Sequence, residues 1–120
     1  MKKLSSKEKE IMRLLWSHGP MFIRDILDFY EGPKPHYNTI STFVKQLIEK
    51  GYIDYKSYGN SYQYRAKISE DDYTENTIGE LVSELYANSY TSIVSLFIKK
   101  EKISLDDLKT LIAQIENGNQ

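Results

Sequence analysis

The sequence predicts a mainly α protein with one small β-hairpin, and three observations predict it. Apolar residues recur at helical spacing in six stretches of the chain. Between Gly51 and Arg65 the period drops to two around a Gly59-Asn60 turn. At 120 residues, 40% hydrophobic and 28% charged, with three prolines, the chain has the size and composition of a small folded protein, neither a disordered tail nor a disulfide scaffold.

The elements follow in order. Ser5 stands three residues before Glu8, the spacing at which a serine oxygen and a glutamate satisfy each other's orphan amides, so a helix starts there. Ile11, Leu14 and Leu15 share one face, Trp16 sits on its flank, and His18-Gly19-Pro20 ends the helix. A second pattern runs through Ile23, Ile26, Leu27 and Tyr30 to a stop before Gly32-Pro33, with no good N-cap to mark its start. The third is the clearest: Ile40, Phe43, Val44, Leu47 and Ile48 make a broad apolar stripe on a helix from about Asn38 to Lys50, with Gly51 as its terminator. Its opposite face carries Asn38, Thr39, Ser41, Thr42, Lys45 and Gln46, short or amide side chains where a merely solvated face would hold more Glu and Lys. Two aromatic strands then flank the Gly-Asn turn as a hairpin. Three helices and a hairpin within about 65 residues is the order of a winged helix-turn-helix, in which the third helix enters the major groove.

From Ser69 the chain is helical again. Ser69 and Asp72 have capping-box spacing, and Ile78, Leu81, Val82, Leu85 and Tyr86 form a stripe. Ile93, Val94, Phe97 and Ile98 form another, and a last helix opens at Ser104, boxed by Asp107, with Leu105, Leu108, Leu111, Ile112 and Ile115 on one side. Three such helices are too small a group to bury all their apolar faces alone, so a homodimer is expected to cover them. The division is therefore a winged-helix domain over residues 1–69 and a helical dimerisation domain over residues 70–120. Charge divides at the same place: twelve bases against seven acids give +5 in the first segment, and four bases against ten acids give −6 in the second. The net charge of −1 hides this asymmetry, which points the first segment toward a polyanion.

These residues carry a resemblance. Glu8-x-x-Ile11-Met12-x-x-Leu15-Trp16, the stretch Asn38-Thr39-Ile40-x-Thr42 through Leu47 to Lys50-Gly51-Tyr52-Ile53, the wing end Tyr62-Gln63-Tyr64, and Ile93-Val94-x-x-Phe97 with Ile103-Ser104 stand in one order and spacing. In that order the chain resembles the BlaI/MecI penicillinase-repressor family of bacterial transcriptional regulators, relatives of the copper-responsive repressors. The resemblance covers Ser5 to about Ile115. It implies a homodimer whose winged helices bind palindromic operators of resistance genes, held together by the C-terminal helices. It also implies release through a membrane metalloprotease sensor that triggers cleavage of the repressor. Departures are specific. Asn38 stands where the family usually has a lysine, and Ser41 where many members have a basic residue, a shift from phosphate attraction toward base-edge hydrogen bonds. Leu96-Phe97 replaces an Asn-Phe cleavage pair. Without cysteine there is no copper motif and no disulfide.

Helix context and resemblance together make Asn38, Thr39, Ser41, Thr42, Lys45 and Gln46 the candidate base-reading residues, since Asn and Gln pair bidentately with adenine and the Thr methyl meets thymine. At the wing, Lys56, Tyr58, Asn60 and Ser61 are candidates for phosphate or minor-groove contact, with packing on the neighbouring strand as the other reading of Tyr58. Tyr52, Tyr55, Tyr62 and Tyr64 read mostly as core or cross-strand residues, with stacking on bases as the other reading. The candidate dimer interface is Ile78, Leu81, Leu85, Ile93, Val94, Phe97, Leu108, Leu111, Ile112 and Ile115. His18 and His36 lie in turns without a Cys or second His beside them, so no metal is expected, and no cofactor either. No nucleophile with a base, phosphate loop or carboxylate pair stands at a telling spacing, which argues against an enzyme. Neither a signal peptide nor a run of roughly 18 apolar residues occurs, so a cytoplasmic protein without membrane insertion is expected. The competing class is a winged-helix module that binds protein through its aromatic hairpin and acidic helices.

Overall fold

A computed structural model describes residues 1–87 and 89–118. The chain divides into two compact units, Met1–Glu75 and Asn76–Gln120.

In the first unit, α1 (Ser6–His18) is followed by α2 (Ile23–Asp28), α3 (Tyr37–Glu49), β1 (Ile53–Tyr58), β2 (Ser61–Ala66) and the first turn of α4 (Glu70–Tyr86). The capping box of α1 forms as its spacing predicts: the Ser5 N–H donates to Glu8 Oε1 at 2.8 Å, and the Glu8 N–H donates to Ser5 Oγ at 3.2 Å. At its other end Gly19 takes φ of +80°, a backbone turn that a side chain would resist. The α2 helix is shorter than its apolar pattern predicts. Its regular bonds end at Asp28, and the N–H groups of Phe29 and Tyr30 reach back only three residues, to Ile26 and Leu27, in a tightened last turn. Its start lacks a side-chain cap, as the sequence predicts, since Phe22 at the N-cap has no acceptor to offer; only Asp25 reaches back, its Oδ2 accepting from the Phe22 N–H at 2.9 Å. The α3 helix begins at Tyr37, one residue before the predicted start, because His36 Nδ1 accepts from the Asn38 N–H and caps it.

The hairpin is antiparallel with Tyr58 opposite Ser61, leaving the two-residue Gly59-Asn60 loop. Met21 adds a bridge on the other side of β2, exchanging N–H to O bonds with Tyr64 at 2.9 and 2.8 Å. The segment entering α2 is thereby fastened to the wing. Between helices and hairpin lies one core, with Ile11, Met12, Ile26, Val44, Leu47 and Tyr52 fully buried. Each large apolar side chain buried there stabilises the unit by roughly 1.5–3 kcal/mol. Met12 and Leu4 belong to this core although the helical pattern of α1 did not single them out. Trp16, half-buried on the flank as its position predicts, donates its indole N–H to the Ile68 carbonyl at 2.9 Å and packs beside Tyr73. These contacts draw the first turn of α4 into the unit.

One charge lies inside. Glu8 is 1% exposed, and its Oε1 accepts from Lys50 Nζ at 2.7 Å. Burial pushes the Glu8 carboxyl up, but the bonds from Lys50 and Ser5 outweigh it and hold the group below its ordinary value. Lys50 also donates to the Lys3 carbonyl, and the Tyr52 hydroxyl to that of Lys2, so the N-terminal residues lie strapped across the end of α3.

The second unit comprises the rest of α4, α5 (Tyr90–Lys99) and α6 (Leu105–Gly118). Ser69 caps α4 through the Asp72 N–H alone, so this predicted box is half-formed among the described residues. Ser104 and Asp107 form theirs in full, at 2.9 and 3.3 Å. Gly79 permits a close approach: a Cβ there would stand 3.1 Å from the Tyr90 hydroxyl.

Candidate nucleic-acid interface

The α3 helix turns its apolar stripe inward, burying Ile40, Val44 and Leu47, and this leaves Asn38, Thr39, Thr42, Lys45 and Gln46 in solvent on the far side. Ser41 is set lower, partly buried. The Thr42 hydroxyl donates to the Asn38 carbonyl at 2.9 Å, which spends its proton within the helix. No carboxylate stands on this stretch from Tyr37 to Ile48, so nothing on the face repels a polyanion. Its surplus of amide and hydroxyl groups suits base edges better than phosphates.

The wing presents Lys56, Tyr58, Asn60 and Ser61, all exposed. Lys56 Nζ lies 5.4 Å from the centre of the Tyr58 ring, and the same ring meets Phe22 edge-on at 6.0 Å. Tyr58 therefore packs, yet onto the entry to α2 and the lysine of its own strand. Tyr55 and Tyr62 are about half exposed and meet edge-on at 5.1 Å, a diagonal pair across the hairpin, while Tyr52 is buried in the core. The Tyr64 hydroxyl is pushed up in pKa by burial and then by the neighbouring hydroxyls of Tyr37, Tyr62 and Tyr55. Tyr37, Tyr55, Tyr62 and Tyr64 thus line neighbouring hollows beside the third helix. Arg65 is held by Asp54 across the hairpin, which neutralises it.

Two hollows flank these tyrosines. One, of about 200 Å³, lies among Lys45, Ile48, Tyr55, Tyr62 and Tyr64. The other, of about 260 Å³, is walled by Phe22, Ile23 and Arg24 at the start of α2, Tyr37 at the start of α3, and Asn60, Ser61, Tyr62 and Tyr64 on the wing. Arg24, Tyr37 and Tyr62 were not among the residues expected at the interface. They lie 13 and 25 residues apart in the chain, and no local spacing ties them together.

The two histidines have structural employment: His36 caps α3, and His18, the last residue of α1, stacks on Phe29 at 4.3 Å. In the second unit, Ile78, Leu81, Leu85, Val94, Phe97, Leu111, Ile112 and Ile115 are exposed, Ile93 and Leu108 are half-buried, and Val82 is the one buried side chain among the described residues. Among the described residues no helix is long and apolar enough to cross a membrane.

A short helical pair, a third helix with a bare polar face, and a hairpin wing beside it define a winged-helix DNA-binding regulator. The chain matches the family described as penicillinase repressor over residues 4–117, and it belongs to that family. The methicillin resistance regulatory protein MecI of Staphylococcus aureus (strain N315) is 28% identical to it over 109 residues, covering 90% of this chain and 89% of that protein. The penicillinase repressor of Bacillus licheniformis is 25% identical over 114 residues, covering 94% and 89%. Among solved structures, a complex of hsRosR-S4 superposes with a TM-score of 0.51 at 13% identity, over 99% of this chain and 95% of that one, a likeness of fold. Members of the family are transcriptional repressors and not enzymes.

Proposed function

We propose that the chain acts in the cytoplasm as a homodimeric repressor that binds a palindromic operator and blocks transcription. The observation that carries this reading is the face of α3: five exposed polar side chains, Asn38, Thr39, Thr42, Lys45 and Gln46, without a carboxylate among them, beside an exposed wing. Asn38 and Gln46 read adenine edges in the major groove, Thr39 and Thr42 meet thymine methyls, and Lys56, Asn60 and Ser61 hold the flanking backbone. The dimer is supported by the second unit, where Leu85 and Ile115 are 69% and 61% exposed and a whole set of apolar faces lacks cover. Two linked heads reach half-sites about one or two turns of DNA apart.

Release runs through a regulatory membrane metalloprotease system of the kind the family uses, but not by default at Leu96-Phe97, where the asparagine of the family's cleavage pair is missing. The names of the relatives support resistance genes as the regulated class. The test is binding of the purified protein to a duplex carrying the sequence upstream of its own gene, against a random duplex of equal length at moderate salt. Preference for the upstream duplex is expected. Equal binding to both would overturn the operator reading and leave the protein-binding module in its place.

A further inference from the structure

We propose that the cleft between α2, α3 and the wing seats one phosphate of the DNA backbone, with the Arg24 guanidinium as its cation and the Tyr37 hydroxyl, Asn60 amide and Ser61 hydroxyl as neutral donors. This rests on the DNA-binding reading above and adds to it residues and a binding chemistry that the base-reading face does not contain.

Four observations carry it. The cleft holds about 260 Å³, several times the roughly 30 Å³ that a water takes in the liquid, so a tetrahedral oxyanion enters without rearrangement. Its polar lining is one-sided in chemistry. Arg24, Tyr37, Asn60, Ser61 and Tyr62 all bring donors, and no carboxylate lines it. Arg24 is also an unneutralised cation. Among the described residues only Lys7, Lys34, Lys50 and Arg65 have a carboxylate within 4 Å; Arg24 has none, like Arg13, and of these two arginines it is Arg24 that lines the cleft. A free, planar guanidinium facing a hollow lined with hydroxyls matches a phosphate, which it can grip through two parallel N–H bonds.

The fourth observation is rigidity. The Met21–Tyr64 bridge fixes the start of α2 to the wing three residues before Arg24, and Asp25 pins the Phe22 N–H, so the arginine's backbone is set before DNA arrives. The cleft's walls also place it well. Tyr37 directly precedes the first base-reading residue, and Asn60 is the tip of the wing, so a phosphate here lies between the major-groove contact and the wing contact. Phosphate contacts of this kind set register on the duplex and carry no sequence information themselves.

The consequence is measurable because each charged phosphate contact releases counterion. Binding of the full-length protein to the upstream duplex and to a random duplex is measured across a salt series for wild type, Arg24→Gln, Arg24→Lys and Lys34→Gln. Arg24→Gln is expected to weaken binding to both duplexes by the same factor and to flatten the salt slope by about 0.9 per head, roughly a 3.5-fold smaller loss between 50 and 200 mM salt. Arg24→Lys keeps the slope while losing affinity, and Lys34→Gln, whose lysine is engaged by Asp28 outside the cleft, keeps both. Tyr37→Phe weakens binding severalfold without altering the slope. An unchanged slope in Arg24→Gln would overturn the proposal, as would a fall in discrimination between the two duplexes, which would make Arg24 a base reader. Millimolar inorganic phosphate at constant ionic strength is expected not to reproduce the effect of Arg24→Gln; if it did, the cleft would be a site for the free ion. Absence of duplex preference in wild type would sink the operator reading alone, since the slope on random DNA still decides this one.

Discussion

The two units treat their apolar residues in opposite ways. Twelve of the thirteen buried hydrophobic residues lie in Met1–Glu75, and Val82 is the only one in the second unit among the described residues. The first unit has three helices and a hairpin crossing one another, so a stripe on any element finds a facing stripe, and Ile11, Val44, Leu47 and Tyr52 vanish from solvent. The second has three helices with equally regular stripes and leaves Leu81, Leu85, Leu111, Ile112 and Ile115 exposed. Periodicity is therefore equal evidence for a helix in both units but not for a core. A stripe becomes a core only when something of matching size lies across it.

The contrast can be broken most severely from the first unit. Leu47→Ala removes a fully buried side chain between α3 and the rest of the core and is expected to cost about 4 kcal/mol, read as a lowered midpoint in urea. A loss below 1 kcal/mol would mean that the head is no better packed than the tail.

Next comes Lys50→Met, which strands the buried Glu8 carboxylate and is expected to cost about 3 kcal/mol near neutral pH. Glu8 is held below its ordinary value in the folded protein, so the unfolded chain binds its proton more tightly. Its contribution is complete above the ordinary carboxyl value and fades as pH falls through the depressed folded one. Wild type should lose stability over that acidic window, and Glu8→Gln should flatten the loss; matching pH profiles for the two proteins would contradict the assignment.

The smallest effect on folding, with the clearest effect on assembly, is expected from Leu85→Lys combined with Ile112→Lys. Both side chains are already exposed, so the first unit should unfold at its usual denaturant midpoint while the dimer separates in sedimentation and operator affinity falls about 100-fold, as two linked sites become independent. A double variant that still sediments as a dimer would place the interface elsewhere.

Much of the molecule is local and so was legible in the residues alone. The Ser5–Glu8 and Ser104–Asp107 boxes, the stop at Gly19, the stripe of α3 and the Gly59-Asn60 turn all follow from contacts within four residues or from glycine's freedom at positive φ. The polar face of α3 was legible for the same reason, since an inward stripe fixes what points outward. The short α2 was not, because its apolar spacing continues past Asp28 while its backbone tightens there. Nor was the half-formed box of α4.

What only the tertiary structure decided lies between residues far apart in the chain. Glu8 and Lys50 are 42 positions apart and meet because α1 crosses the end of α3. Trp16 and Ile68 are 52 apart and meet because the chain returns past α1 after the hairpin. Arg24, Tyr37 and Asn60 face one cleft because Met21 is bonded to the wing. Sequence by itself determined the elements, their faces and the split of charge at residue 69, since these depend on backbone geometry and neighbouring side chains. Which charge is buried, which arginine lines the cleft and which stripes find cover depend on how the elements cross, and no local period encodes that.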